Sequence, residues 1–133
     1  MATLFTKIIN KEIPAEILYE DDMCIAILDI APVNKGHALV IAKEEYSTTV
    51  ECPDDVLSHL VVIAKRLDKI MREQLHAQAT NIIINNGPAG GQEIPHIHIH
   101  VIPRYEGDNK KFVLHKEKYV KDEIGKIAAL LTL

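Results

Sequence analysis

The run His96-Ile97-His98-Ile99-His100-Val101-Ile102-Pro103-Arg104 constrains this chain more than any other stretch. Imidazoles and branched aliphatic side chains alternate with a period of two, the pattern of a strand with one face in a core. Side chains on the same face of a strand lie about 6.6–6.8 Å apart. His96, His98 and His100 are therefore expected in a row on one face, with Ile97, Ile99 and Val101 on the other. Three adjacent imidazoles on a half-buried strand are costly unless each has a partner. A functional row explains them better than a structural one.

Such a strand needs a sheet beside it and a helix against its aliphatic face. Residues 16–20 and 23–30 read as two strands around the turn Glu20-Asp21-Asp22, and 37–42 as a third. A fourth strand, over 80–86, is rich in β-branched residues, and 96–104 is the fifth. Apolar residues recur at three- and four-residue spacing from Val56 to Leu75, which predicts one long helix after Pro53-Asp54-Asp55. Shorter helices are expected over 3–11, where Pro14 follows, and over the tail 116–131. The early connections are of hairpin length, so the expected fold is α+β with a largely antiparallel five-stranded sheet. One domain spanning 1–133 is expected, because 133 residues fit the usual roughly 100–200 per domain.

Composition narrows the function. Fifteen Lys and Arg against 19 Asp and Glu give a formal net charge of −4, which disfavours a nucleic-acid binder. Cys24 and Cys52 are too few for a disulfide framework or a zinc cluster. No segment has the length and apolarity of a signal peptide or a bilayer span, so a cytoplasmic protein away from membranes is expected. His59, His76 and His115 read as surface or helix-end groups.

The histidine row admits two chemistries. His-x-His on a strand holds zinc well, and His37 or a carboxylate could complete the set. Alternatively, one imidazole is a nucleophile or general base that its neighbours orient. The upstream segment Asn85-Asn86-Gly87-Pro88-Ala89-Gly90-Gly91-Gln92 favours the second. Its glycines let backbone N–H groups approach an anion, and Gln92 adds a donor. Phosphate chemistry needs such a loop and a metal site does not. No Gly-x-x-x-x-Gly-Lys pattern is present to suggest an ATPase.

His96 through Ile102 also resembles the His-φ-His-φ-His-φ-φ signature of the histidine triad (HIT) superfamily of nucleotide hydrolases and transferases. Three more segments resemble that family in the same order: Phe5–Ala15, then Leu28-Asp29-Ile30-Ala31-Pro32 with Gly36-His37-Ala38-Leu39-Val40-Ile41, then the Asn85–Gln92 loop. The match covers about 3–105. The resemblance implies attack by His98 on the α-phosphate of a purine nucleotide, a covalent nucleotidyl-histidine, and hydrolysis by water without a cofactor. It implies that His100 donates to phosphate oxygens and that His37 and His96 form a relay behind the nucleophile. Asp29 would bind ribose, Ile8, Ile27 and Ile30 the base, and Asn85, Gly91 and Gln92 the phosphate. It also implies a homodimer. Phosphoramidates lead as substrates; dinucleoside polyphosphate hydrolysis and a binding or scaffold role are the alternatives.

The chain departs from that pattern in three places. Thr3, Thr6 and Glu45 stand where many relatives carry two cysteines and a histidine that bind zinc with the counterpart of His96, so no zinc is expected. Glu93 replaces a Ser or Thr that contacts phosphate, and a cationic amine leaving group would be compatible with it. The tail lacks the short Trp-containing ending of the phosphoramidase branch. Lys35, Lys43 and Arg104 read as surface charges.

Overall fold

The computed structural model describes residues 2–133. Five strands, β1 (Ile17–Glu20), β2 (Cys24–Leu28), β3 (Ala38–Ala42), β4 (Ala79–Ile83) and β5 (His98–Arg104), form one sheet in the order β1-β2-β3-β5-β4. Every neighbouring pair is antiparallel. The helices are α1 (Leu4–Ile9), α2 (Asp54–Gln74) and α3 (Glu123–Leu131). The α+β reading of the sequence therefore holds.

Period-two alternation divides the sheet into two faces. Cys24, Ala26, Ala38, Val40, Ala42, Ile97, Ile99 and Val101 pack against Leu60, Ile63, Ala64, Leu67 and Met71 of α2. The small residues on β2 and β3 let the helix approach closely, and its apolar side chains fill the space between. Asp54 and Asp55 lie in the first turn of α2, where the helix dipole favours negative charge. On the opposite face Ile25, Ile27, Leu39 and Ile41 pack under Phe5 and Ile8 of α1. Leu39 pairs with His100 and Ile41 with His98 across β3 and β5. The two histidines thus emerge on the α1 face, among the aliphatic residues of that layer.

Several boundaries differ from the sequence reading. The strand read over 96–104 begins at His98, because His96 lies in the bend that brings Ile97 N–H onto the Tyr46 carbonyl at 2.7 Å. The helix read over 116–131 begins only at Glu123. Residues 110–120 take no regular structure, and α3 buries nothing against the rest of the chain. Its apolar spacing is that of a helix, but no surface of this monomer receives it.

His59 is more than a surface group. Its Nε2 lies 2.6 Å from Asp21 Oδ2, and Asp21 Oδ1 accepts from the Met23 and Cys24 N–H groups. That carboxylate pins the β1–β2 turn to α2. Gly36, before β3, has φ +100°, a conformation that a residue with a Cβ rarely adopts. It turns the chain so that His37 N–H donates to Asn34 O at 3.0 Å and His37 enters the sheet edge.

Candidate active site

A cavity of about 330 Å³ opens between α1 and the sheet. Phe5, Ile8, Ile13, Ile27 and Leu39 line its apolar part, Asp29 one rim, and His98, His100, Asn85, Gly91 and Glu93 the rest. Its size and mostly apolar wall with a few polar groups suit a small-molecule ligand.

The hydrogen bonds decide which ring nitrogen carries each proton. His98 Nδ1 lies 2.7 Å from the His96 carbonyl. A carbonyl only accepts, so Nδ1 bears the hydrogen and Nε2 keeps its lone pair. His37 Nδ1 accepts from the Val33 N–H at 3.1 Å, so its proton sits on Nε2. That Nε2 lies 2.9 Å from His100 Nδ1, which must accept, leaving the His100 proton on Nε2. No buried side-chain nitrogen or oxygen among the described residues lacks a partner. His98 Nε2 and His100 Nε2 make no hydrogen bond, so both open onto the cavity. One presents a lone pair and the other an N–H.

Burial holds the rings neutral. It pushes His98 below the ordinary imidazole range, and it pushes His37 and His96 the same way. His100 falls to about 4, through burial first and then the neighbouring His98 and His37. Asp29, 3.8 Å from His37 Nε2, opposes the shifts of His37, His98 and His100. Phe5 meets His98 edge-on, with ring centroids 4.9 Å apart, and fixes the plane of that ring.

Several expected placements take a different form. His37 stands behind His100, and behind His98 stands the His96 carbonyl, so the two rings form no common relay. The His96 ring is fully buried and turned away, with Nε2 donating to Ala42 O and Nδ1 accepting from the Thr3 hydroxyl, both at 2.7 Å. Gln92 spends both ends of its amide on the loop: Oε1 accepts from Gly87 N–H and Nε2 donates to Ser47 O, each at 2.7 Å. The N–H groups of Gly90, Gly91 and Gln92 are committed to Pro88 and Gly87 carbonyls. Gly91, at φ +98°, brings the loop against Asn85, leaving the Asn85 amide and His100 Nε2–H as donors facing the cavity. Ile8 and Ile27 are buried beneath the slot, whereas Ile30 is 97% exposed at its lip. Sequence reasoning passed over Val33, whose backbone sets the His37 tautomer. No side-chain pattern carries that signal.

A HIT domain family model matches residues 10–107. The chain belongs to the HIT family. An uncharacterized HIT-like protein of Methanocaldococcus jannaschii is 47% identical over 107 residues, 80% of this chain and 82% of that protein. Adenylylsulfatase HINT3 of Arabidopsis thaliana is 42% identical over 105 residues, 79% of this chain but 53% of that protein, so the chain spans about half its length. The crystal structure of a Zn-bound histidine triad family protein from Mycobacterium smegmatis superposes with TM-score 0.80 at 36% identity, covering 88% of this chain and 85% of that one. HIT proteins are nucleotide-handling hydrolases and transferases.

In this HIT chain the corner holding Thr3, Thr6, Glu45 and His96 does not fit zinc. Thr3 Oγ1 donates to His96 Nδ1 and accepts from Thr6 N–H at 3.2 Å. Thr6 Oγ1 donates to Glu45 Oε1, which also accepts the Thr3 N–H at 3.0 Å. Two neutral hydroxyls and one carboxylate beside a single imidazole lack the thiolate or imidazole donors of a structural zinc site. Their polar atoms satisfy one another instead.

Proposed function

We propose that this HIT protein hydrolyses the phosphorus–nitrogen bond of a purine nucleoside 5′-phosphoramidate through a nucleotide held covalently on His98. The observation that carries this reading is the fixed tautomer of His98, a neutral imidazole whose lone pair faces the cavity. The base lies against Ile8, Ile27 and Phe5 with Ile30 at the lip, and Asp29 accepts from the ribose hydroxyls. His98 Nε2 bonds to the α-phosphorus as the P–N bond breaks. The bonding pair departs with the amine, which takes a proton from water. The ring becomes cationic, and the His96 carbonyl facing Nδ1 stabilises that charge. His100 Nε2–H and the Asn85 amide hold non-bridging oxygens as charge builds on them. Water then displaces His98 and releases the nucleoside monophosphate. Gln92 acts by holding the glycine loop in place.

Rapid acid-free quenching of a single turnover with an adenosine 5′-phosphoramidate tests the reading. The expected result is protein one AMP heavier, with the adduct on the peptide containing His98 and lost on mild acid treatment. Full release of AMP with no adduct at any quench time would sink the covalent route. The adenylylsulfatase relative supports adenylyl sulfate as a second substrate, read in the same assay through the same adduct.

The active unit is a homodimer. Supporting this, Phe112, Leu114, Val120, Ile124, Leu130 and Leu131 are exposed on the C-terminal arm, and β4 is an open sheet edge. Light scattering on the eluting protein is expected to give the mass of two chains at micromolar concentration. A single-chain mass throughout would overturn the dimer.

A further inference from the structure

The two cysteines are too few to hold an ion between them, but the fold gives one of them other company. Cys24 opens β2, Asp21 sits three residues earlier in the β1–β2 turn, and His59 reaches them from the second turn of α2. One donor atom from each, the Cys24 thiol, an Asp21 oxygen and a His59 nitrogen, lies within 4.8 Å of the other two. The cluster is on the α2 face of the sheet, and none of its three residues lines the cavity.

The Asp21 carboxylate is held in place by groups outside the cluster as well as inside it. Oδ1 accepts from the Met23 and Cys24 N–H groups at 2.8 and 2.9 Å, and Oδ2 from the Tyr19 hydroxyl at 2.7 Å. The His59 Nε2–H points at the same carboxylate from 2.6 Å. Burial and the adjacent Asp21 charge push the Cys24 thiol up to about 12, against the pull of Lys43. His59 Nε2 and Cys24 Sγ thus carry hydrogen on atoms that bind transition metals, beside a fixed anion, and one dication can stand in place of both hydrogens. His59 Nδ1 makes no hydrogen bond among the described residues, so the ring can carry its proton there instead. The backbone amides and the phenol then orient the carboxylate from behind. Cys24 is fully buried, while the Asp21 and His59 side chains are 25% and 28% exposed, which leaves an ion a way in. Unlike the hydroxyls of the Thr3 corner, every donor here is of a type that zinc takes.

We propose that Asp21, Cys24 and His59 form a binding site for a divalent transition ion of the zinc class, with water in the fourth position. A thiolate, an imidazole and a carboxylate select zinc or cobalt over magnesium and calcium, which prefer oxygen-only sets. Bonds of about 2.0–2.3 Å draw the three donors in by roughly 1 Å. The binding step balances with one proton: the thiol loses it to solvent, and the His59 proton moves from Nε2 to Nδ1. The ion fastens the β1–β2 turn to α2 in place of the His59–Asp21 hydrogen bond, so its effect is on stability.

Cobalt(II) and zinc titrated into the full chain provide the test. One cobalt per chain is expected, with a thiolate-to-metal charge-transfer band that is missing in Cys24→Ala and kept in Cys52→Ala. In competition with a chromophoric chelator, His59→Gln should weaken zinc at least about tenfold. Zinc should raise the melting temperature of the native protein and leave that of Cys24→Ala unmoved. The native cobalt spectrum needs no variant, so the test stands even if one of them fails to fold. Cobalt bound without the thiolate band overturns the site, as does zinc affinity unchanged in both Cys24→Ala and His59→Gln. Binding lost in His100→Gln alone would place the ion at the other cluster of this kind, Asp29 with His37 and His100 in the cavity, and refute the assignment. Failure to bind either metal refutes it too.

Discussion

In a buffer containing a metal chelator, His98→Ala protein is expected to release nucleoside monophosphate from adenosine 5′-phosphoramidate at least about 10³-fold more slowly than the native protein. The size of the loss follows from the hydrogen bonds. His98 Nε2 is the one unprotonated ring nitrogen that opens onto the cavity, because the His96 carbonyl holds the other proton on Nδ1 and His100 presents an N–H. Alanine removes the lone pair, and no neighbour can take its place. The base slot of Phe5, Ile8 and Ile27 remains, so AMP should still bind within about tenfold of the native affinity. Binding retained while turnover is lost separates a missing nucleophile from a misfolded protein, and a thermal melt of the variant checks the same point. Undiminished release by His98→Ala would show that another group attacks.

The second large effect is on stability in acid. His37, His96, His98 and His100 all lie below the ordinary imidazole value of 6.5, with burial as the leading cause. The unfolded chain therefore binds protons that the folded chain refuses, and stability rises with pH through that window. The contribution is fully present above about pH 6.5 and is lost as pH falls through the folded values, which for His100 extends to about 4. At about 1.4 kcal/mol per unit, His100 alone accounts for about 3 kcal/mol, a large share of the roughly 5–15 kcal/mol that holds a domain together. The carboxylates Asp21 and Asp108 are held well below their usual range, so they stay ionised here, and the stability they contribute is lost only at lower pH. Urea midpoints at pH 7.5, 6.5, 5.5 and 4.5 should fall steeply over the last two steps, and His100→Gln should flatten that fall. A midpoint that stays constant down to pH 5 would mean that the rings protonate freely in the fold.

What could be read in advance was what side-chain periodicity encodes. The strand core from His98 onward, the aliphatic face of β5 and the stripe on α2 are all period-two or period-3.6 patterns, and each is an element of the fold. The motif residues His98, His100, Asp29, Asn85 and Gly91 do converge on one cavity. The parts that escaped depend on the backbone or on distant partners. Alternation extended the histidine strand back to His96, but a bend before β5 turns that ring under α1, where Thr3 waits 93 positions away. The glycine-rich loop promised free N–H donors, yet a 3₁₀ turn over Pro88–Gly90 consumes them internally. The apolar tail carried a helical pattern through 116–131. Only its last part forms a helix, because the pattern says which face is apolar and not whether anything lies against it.

His96 joins two parts of the molecule that a reader of the motif would treat separately. Its carbonyl fixes the ring of His98, while its own ring, through Thr3, anchors the helix that carries Phe5 and Ile8. The position of the cavity's apolar wall and the aim of the His98 lone pair are thus set by a single residue. The chain closes this corner with its own hydroxyls and Glu45, so one short hydrogen-bonded chain ties the start of α1 to the approach to β5.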